Sequence, residues 1–151
     1  MNTMKLLLVL SAVLLASCRT MTDNQVAAEA LAVTQSVNGS DIDALNASSG
    51  TPFLFETEIF PSPVQLNALW EGLAASGYDF GPKGEITVSD PDENTWKKFS
   101  SSREVQVWFQ SHAPENAVLA VIPTGDGKIL LVIDRDRRHS DRIRGLKVDQ
   151  S

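Results

Sequence analysis

Cysteine occurs once, at Cys18, in a chain of 151 residues. A single sulfur closes no intramolecular disulfide and builds no cysteine-based zinc site. Histidine is nearly as scarce. His112 and His139 are the two present, and neither stands in a metal-ligand spacing such as His-Glu-x-x-His. Bases are outnumbered by acids, 13 to 19, for a net charge of −6 and a pI near 4.8. That surface repels a polyanion and argues against general nucleic-acid binding. The sequence contains no Gly-x-x-x-x-Gly-Lys-Ser/Thr or Gly-x-Gly-x-x-Gly phosphate cradle and no Gly-x-Ser-x-Gly elbow. Neither a metal nor another cofactor is therefore expected, and a catalytic role has no local support. The hydrophobic share, 42%, is too high for a wholly disordered chain and too low for a bundle of membrane spans. The length fits one domain.

The N-terminus carries the most specific signal. Lys5 is the only charge in the first seventeen residues, and residues 6–17 are uncharged and mostly apolar. A run of about 12 residues is too short to span a bilayer, which needs about 20. A positive start, a short apolar stretch and small residues at its end form a secretory signal. Leu15-Ala16-Ser17-Cys18 closes the run and resembles the lipobox of bacterial lipoproteins. The resemblance covers residues 1–18. It implies cleavage before Cys18 and acylation of that residue, with the lipid bilayer as the first partner. Two or more acyl chains anchor a protein stably where one does not. The same resemblance implies the outer membrane, facing the periplasm, because Arg19 stands where the inner-membrane retention signal has Asp. Loss of residues 1–17 takes the net charge to about −7.

Residues 19–51 are rich in Ala, Ser, Thr, Asn and Asp and lack aromatics. Residues 24–37 approximate one weak helical stripe through Val26, Ala30, Leu31 and Val33. The stretch as a whole reads as a tether from a lipidated Cys18, with a helix packed on the domain as the competing reading. A random coil of about 33 residues spans roughly 30 Å.

The globular part is expected over residues 52–134. Alternation of Phe53, Phe55, Thr57 and Ile59 predicts a strand. Ser62-Pro63-Val64-Gln65 predicts a helix start, with Leu66, Leu69, Trp70 and Leu73 at helical spacing and Gly77 at its close. Residues 84–88 predict a short strand. Asp90-Pro91-Asp92-Glu93 predicts a second helix through Trp96 and Phe99. Residues 103–109, with Val105, Val107 and Phe109 alternating, predict another strand. Residues 117–122 and 129–133 are continuous apolar runs joined through Gly125-Asp126-Gly127, the pattern of a hairpin covered on both faces. The expected fold is α+β: a small mixed or antiparallel sheet, in the order strand-helix-strand-helix-strand-strand-strand, with two short helices packed on it. The tryptophans are expected in the core.

Residues 135–151 form a basic, flexible tail in this reading. Arg135, Arg137, Arg138, Arg142, Arg144 and Lys147 outnumber Asp136, Asp141 and Asp149, so the tail is about +3 while the rest of the mature chain is about −10. These six bases are candidate contacts for a partner or a membrane. Other constellations have ordinary explanations. Asp90 to Asn94 looks like a calcium loop, yet Thr95 and Ser101 stand where Gly and Glu are required, and a helix cap accounts for the same residues. Asp41-Ile42-Asp43 fails with Leu45 in a ligand position. Glu56 and Glu58 read as a solvated strand face and His112 as a polar loop residue.

Residues 60–63, 76–78 and 84–88 with the helix after them are similar to the small ring-building modules of secretion-system lipoproteins. The similarity spans roughly 50 residues, has no signature residue, and is departed from by the long apolar hairpin. The expected function is a non-catalytic, membrane-anchored envelope lipoprotein that binds or assembles with an envelope protein or polymer. The alternatives are an inhibitor or immunity lipoprotein against a basic enzyme and, behind it, a small envelope enzyme.

Overall fold

A computed structural model of the chain describes residues 19–150. The signal segment and Cys18 lie outside the described residues. Among the described residues the fold is α+β, with four helices and one mixed six-stranded sheet in the order β2 (Glu58–Phe60), β1 (Ser49–Phe55), β6 (Ile143–Asp149), β5 (Gly127–Asp134), β4 (Ala117–Thr124), β3 (Thr87–Ser89). Strands β1 (Ser49–Phe55) and β6 (Ile143–Asp149) run parallel, and every other neighbouring pair is antiparallel.

The hairpin of β4 (Ala117–Thr124) and β5 (Gly127–Asp134) forms as the sequence predicts. Gly125 and Asp126 are its two-residue turn, with Thr124 opposite Gly127. Gly127 has φ +146, and a Cβ there would lie 2.0 Å from the Asp149 carbonyl oxygen, so only glycine fits. Both runs are continuous because the sheet is covered on both sides. Val118, Ala120, Ile122, Ile129, Leu131 and Ile133 join the larger core, and Leu119, Leu130 and Val132 join the smaller one on the other face.

Three helices cover the first face. Helix α1 (Asp23–Asn38) opens with a capping box, in which Thr22 and Gln25 satisfy each other's backbone N–H groups. Its stripe Val26, Ala30, Val33 and Val37 is buried against the sheet. The region expected to be a tether is thus a core element. Its small side chains let the helix approach closely, and that is why its hydrophobicity looked weak. Helix α2 (Ile42–Ser48), capped by Asp41, follows at once and buries Leu45. Strand β1 then starts at Ser49, ahead of the expected boundary at residue 52. Helix α3 (Pro63–Ala75) matches its prediction: Ser62 accepts from Gln65 N–H, Pro63 opens the helix, and Leu66 and Trp70 are buried. Trp70 meets Phe53 edge-on at 5.5 Å.

Four local expectations are corrected. Phe53 to Ile59 is not one strand. The chain reverses at Glu56, where φ is +54, into the short strand β2 (Glu58–Phe60). The helix expected from Asp90 shrinks to one 3₁₀ turn, Thr95–Lys98. Asp92 folds back to accept from Asn94 N–H and from the Thr95 hydroxyl, a local bonding pattern that competes with the helix. The strand expected over residues 103–109 is helix α4 (Arg103–Ser111), capped by Ser102. Its buried Val105 and Trp108, with half-buried Phe109, stand at helical spacing, while Val107 is exposed. Finally, the tail expected to be flexible over residues 135–151 is ordered: residues 135–142 lead into strand β6, seated inside the sheet between β1 and β5. Ile143, Gly145 and Leu146 are buried there, and Arg144 and Lys147 are half-buried. The short edge strand β3 (Thr87–Ser89) overlaps the end of the expected strand, residues 84–88, and starts three residues later.

Candidate functional site

The second face of the sheet is only partly filled. Helix α4 covers its β1 side through Trp108, whose indole N–H donates to the Pro52 carbonyl at 3.0 Å. Between the C-terminal end of α4, the 3₁₀ turn and the middle strands lies a cavity of about 340 Å³. Trp96 and Phe109 form two walls. Ala113, Ala117, Leu119 and Val132 complete an apolar lining. Its size falls within the range of small-ligand pockets, about 300–1,000 Å³.

The walls are held in place. Phe109 packs on Phe99 at 5.3 Å in a tilted arrangement and meets Trp108 edge-on at 5.0 Å. The Trp96 indole N–H donates to the Glu93 carbonyl at 3.1 Å, and Lys97 lies over its ring at 5.6 Å. Asp92 and Glu93 stand at the rim, exposed. Hydrogen bonds from Asn94 N–H and the Thr95 hydroxyl hold the Asp92 carboxyl below the usual carboxylate range, so it is charged at neutral pH. The arrangement can take an apolar group inside and a cation at its edge. All three tryptophans are expected in the core. Trp70 and Trp108 are fully buried there, whereas Trp96 is half-buried and serves as a wall. The clue in the sequence was its position in a Pro/Asp/Lys-rich turn.

The six candidate bases are not gathered into one contact surface, and four have inward duties. Arg142 grips Glu29 of α1, Arg135 pairs with Asp23, and Lys147 donates to the Phe99 carbonyl at 2.8 Å. Arg144 makes long 3.4 Å contacts with the Thr51 and His112 carbonyls, and its Nε is buried without a partner. Arg137 and Arg138 remain exposed. Arg138 holds Asp136 in a forked ion pair that drives the Asp136 carboxyl far below its ordinary value and raises the guanidinium's own.

Next to it, His139 Nδ1 lies 2.6 Å from Asp134, whose side chain is only 6% exposed. This contact raises the histidine above its ordinary value of 6.5. Glu56 and Glu58 do not share a strand face. Glu56 sits at the reversal, accepts Val148 N–H at 2.8 Å, and is raised by burial against that hydrogen bond's lowering effect. His112 caps the end of α4, as a loop residue, and is exposed.

Among the described residues, no cluster of three or more His, Cys, Asp or Glu side chains is arranged to hold a metal ion, and no helix is long and apolar enough to cross a membrane. No family model, no curated protein and no solved structure matches this chain.

Proposed function

We propose that the protein is a non-catalytic lipoprotein of the bacterial envelope, anchored through acylated Cys18 to the outer membrane, that binds a partner envelope protein. The site is the cavity between Trp96 and Phe109. It takes an apolar side chain of the partner, with a neighbouring Lys or Arg of the partner meeting Asp92 and Glu93.

The observation that carries this reading is the cavity itself: about 340 Å³ of apolar space with two aromatic walls, opening beside exposed carboxylates. Aromatic anchors in desolvated pockets dominate protein interfaces. The anchor rests on Leu15-Ala16-Ser17-Cys18 directly after the apolar run.

The test is photo-crosslinking in intact cells from a reactive residue placed at Gln110, which lines the cavity. A crosslinked envelope protein that disappears when Ala113→Leu fills the cavity supports the reading. Crosslinking unchanged by Ala113→Leu, in a variant of parental stability, overturns it.

A further inference from the structure

The described chain is fixed almost from its first residue. Thr20 pairs with Asp136 as an isolated antiparallel bridge. Met21 N–H donates to the Arg135 carbonyl at 2.9 Å, and Arg137 N–H donates to the Arg19 carbonyl at 2.9 Å. Met21 is 6% exposed, so the chain enters the core there. Cys18 is one peptide bond before Arg19. Two residues of chain reach at most about 7 Å, so an anchor at position 18 allows no long tether before Thr20. One headgroup layer is about 5–8 Å thick. If Cys18 carries acyl chains, the corner around Thr20 and Asp136 stands at headgroup depth.

That corner sorts its charges by depth. Its carboxylates Asp134 and Asp136 are drawn into the body, with side chains 6% and 4% exposed. Its bases Arg19, Arg137, Arg138 and His139 are turned out. Exposed acids are also close: Asp23, which is engaged by Arg135, with Asp141 and Glu115. Arg138 is shared with Asp136, which leaves Arg19 and Arg137 as the guanidiniums best placed to meet an anionic surface.

Resting on the lipid-anchor reading above, we propose that this corner is a membrane-docking face. Arg19 and Arg137, flanked by Arg138, lie on the phosphates of anionic phospholipids and hold the body on the bilayer in one orientation. Each arginine near such a surface favours the docked state by about five-fold, so the leading pair favours it by about 25-fold at low salt. The strand axis of β5 then points away from the membrane. The Gly125–Asp126 turn, at its other end, stands about 25 Å further out.

The experiment uses the full acylated protein with one engineered cysteine, Ser140→Cys or Asp126→Cys. Acylation occupies the Cys18 sulfur, so the new thiol alone takes a fluorophore. The protein is placed in phosphatidylethanolamine–phosphatidylglycerol vesicles and quenched by aqueous iodide. Position 140 is expected to be shielded several-fold relative to position 126. Arg19→Glu with Arg137→Glu removes the shielding without changing vesicle flotation or the far-ultraviolet spectrum. Equal quenching at both positions in protein shown by mass to be acylated overturns the docking face and leaves the anchor standing. Shielding that persists in phosphatidylcholine vesicles, or in the double variant, overturns the role of charge. An N-terminal peptide of unacylated mass overturns the anchor, and the docking face with it.

Discussion

Arg142 and Glu29, 113 positions apart in sequence, are joined by three hydrogen bonds of 2.8 to 3.1 Å. The pair rivets β6, at the end of the chain, to α1, at its beginning. With side chains only 24% and 15% exposed, it is shielded from solvent more than an ordinary surface pair. Arg142→Ala leaves the Glu29 carboxylate partly buried and unpartnered, and is expected to cost about 2 kcal/mol. The double variant Arg142→Ala, Glu29→Ala is expected to cost less than the two single changes added together, by urea denaturation. Strict additivity would show that the rivet contributes nothing.

The two faces of the sheet give a graded prediction for tryptophan. Trp108 is fully buried and bonded to the Pro52 carbonyl, so Trp108→Ala is expected to cost about 3–5 kcal/mol. Trp96 is a half-buried wall, and Trp96→Ala is expected to cost about 1 kcal/mol while enlarging the cavity. Denaturation midpoints of the two variants compare them directly.

Stability should depend on pH through His139. Its folded value is raised above 6.5 by Asp134. The contribution is therefore complete below about 6.5 and is lost as pH rises through the higher folded value. Asp136, lowered by Arg138, acts at the other end: its contribution is present above its ordinary value of 3.8 and is lost as pH falls through the depressed folded one. Thermal midpoints followed across pH should show both limbs. His139→Gln should flatten the alkaline limb and leave most of the acid limb, whose largest cause is Arg138.

The C-terminus provides a categorical test. Strand β6 is flanked by β1 and β5 and buries Ile143 and Leu146 completely. A chain ending at residue 142 is expected to be insoluble or unfolded, and limited proteolysis of the intact protein is expected to spare residues 143–149. Recovery of a cooperatively folded truncated chain would contradict the strand's place in the sheet.

The contrast between legible and illegible elements follows from the range of the interactions. Helix α3 was legible because Ser62, Pro63, Gln65 and Gly77 act within a few residues of one another, and the central hairpin because its turn is local. Helix α4 was misread because Val105, Val107 and Phe109 alternate, while the burial of Trp108 that decides the matter depends on a carbonyl 56 positions away. Strand β6 is hidden by Lys147 within it and Arg142 just before it, whose partners Phe99 and Glu29 lie far off in sequence. Helix α1 was masked by small side chains whose value depends on what they pack against. At the cavity, Trp96 and Phe109 were visible as large aromatics, but nothing local reported that the space between them would stay open. The sorting of the tail's bases into inward and outward groups likewise required the tertiary partners.

The parallel pairing of β1 with β6 has a consequence for how the chain matures. Leu54 sits beside Gly145, so the inner border of β1 waits for residues made about ninety positions later. Contacts of that separation close slowly. While the polypeptide is being synthesised from its N-terminal end, its first two-stranded ribbon has helices α2 and α3 to settle against but no inner neighbour in the sheet. The sheet is completed only once residues 143–149 have been made, so until then β1 and β5 each keep an open edge.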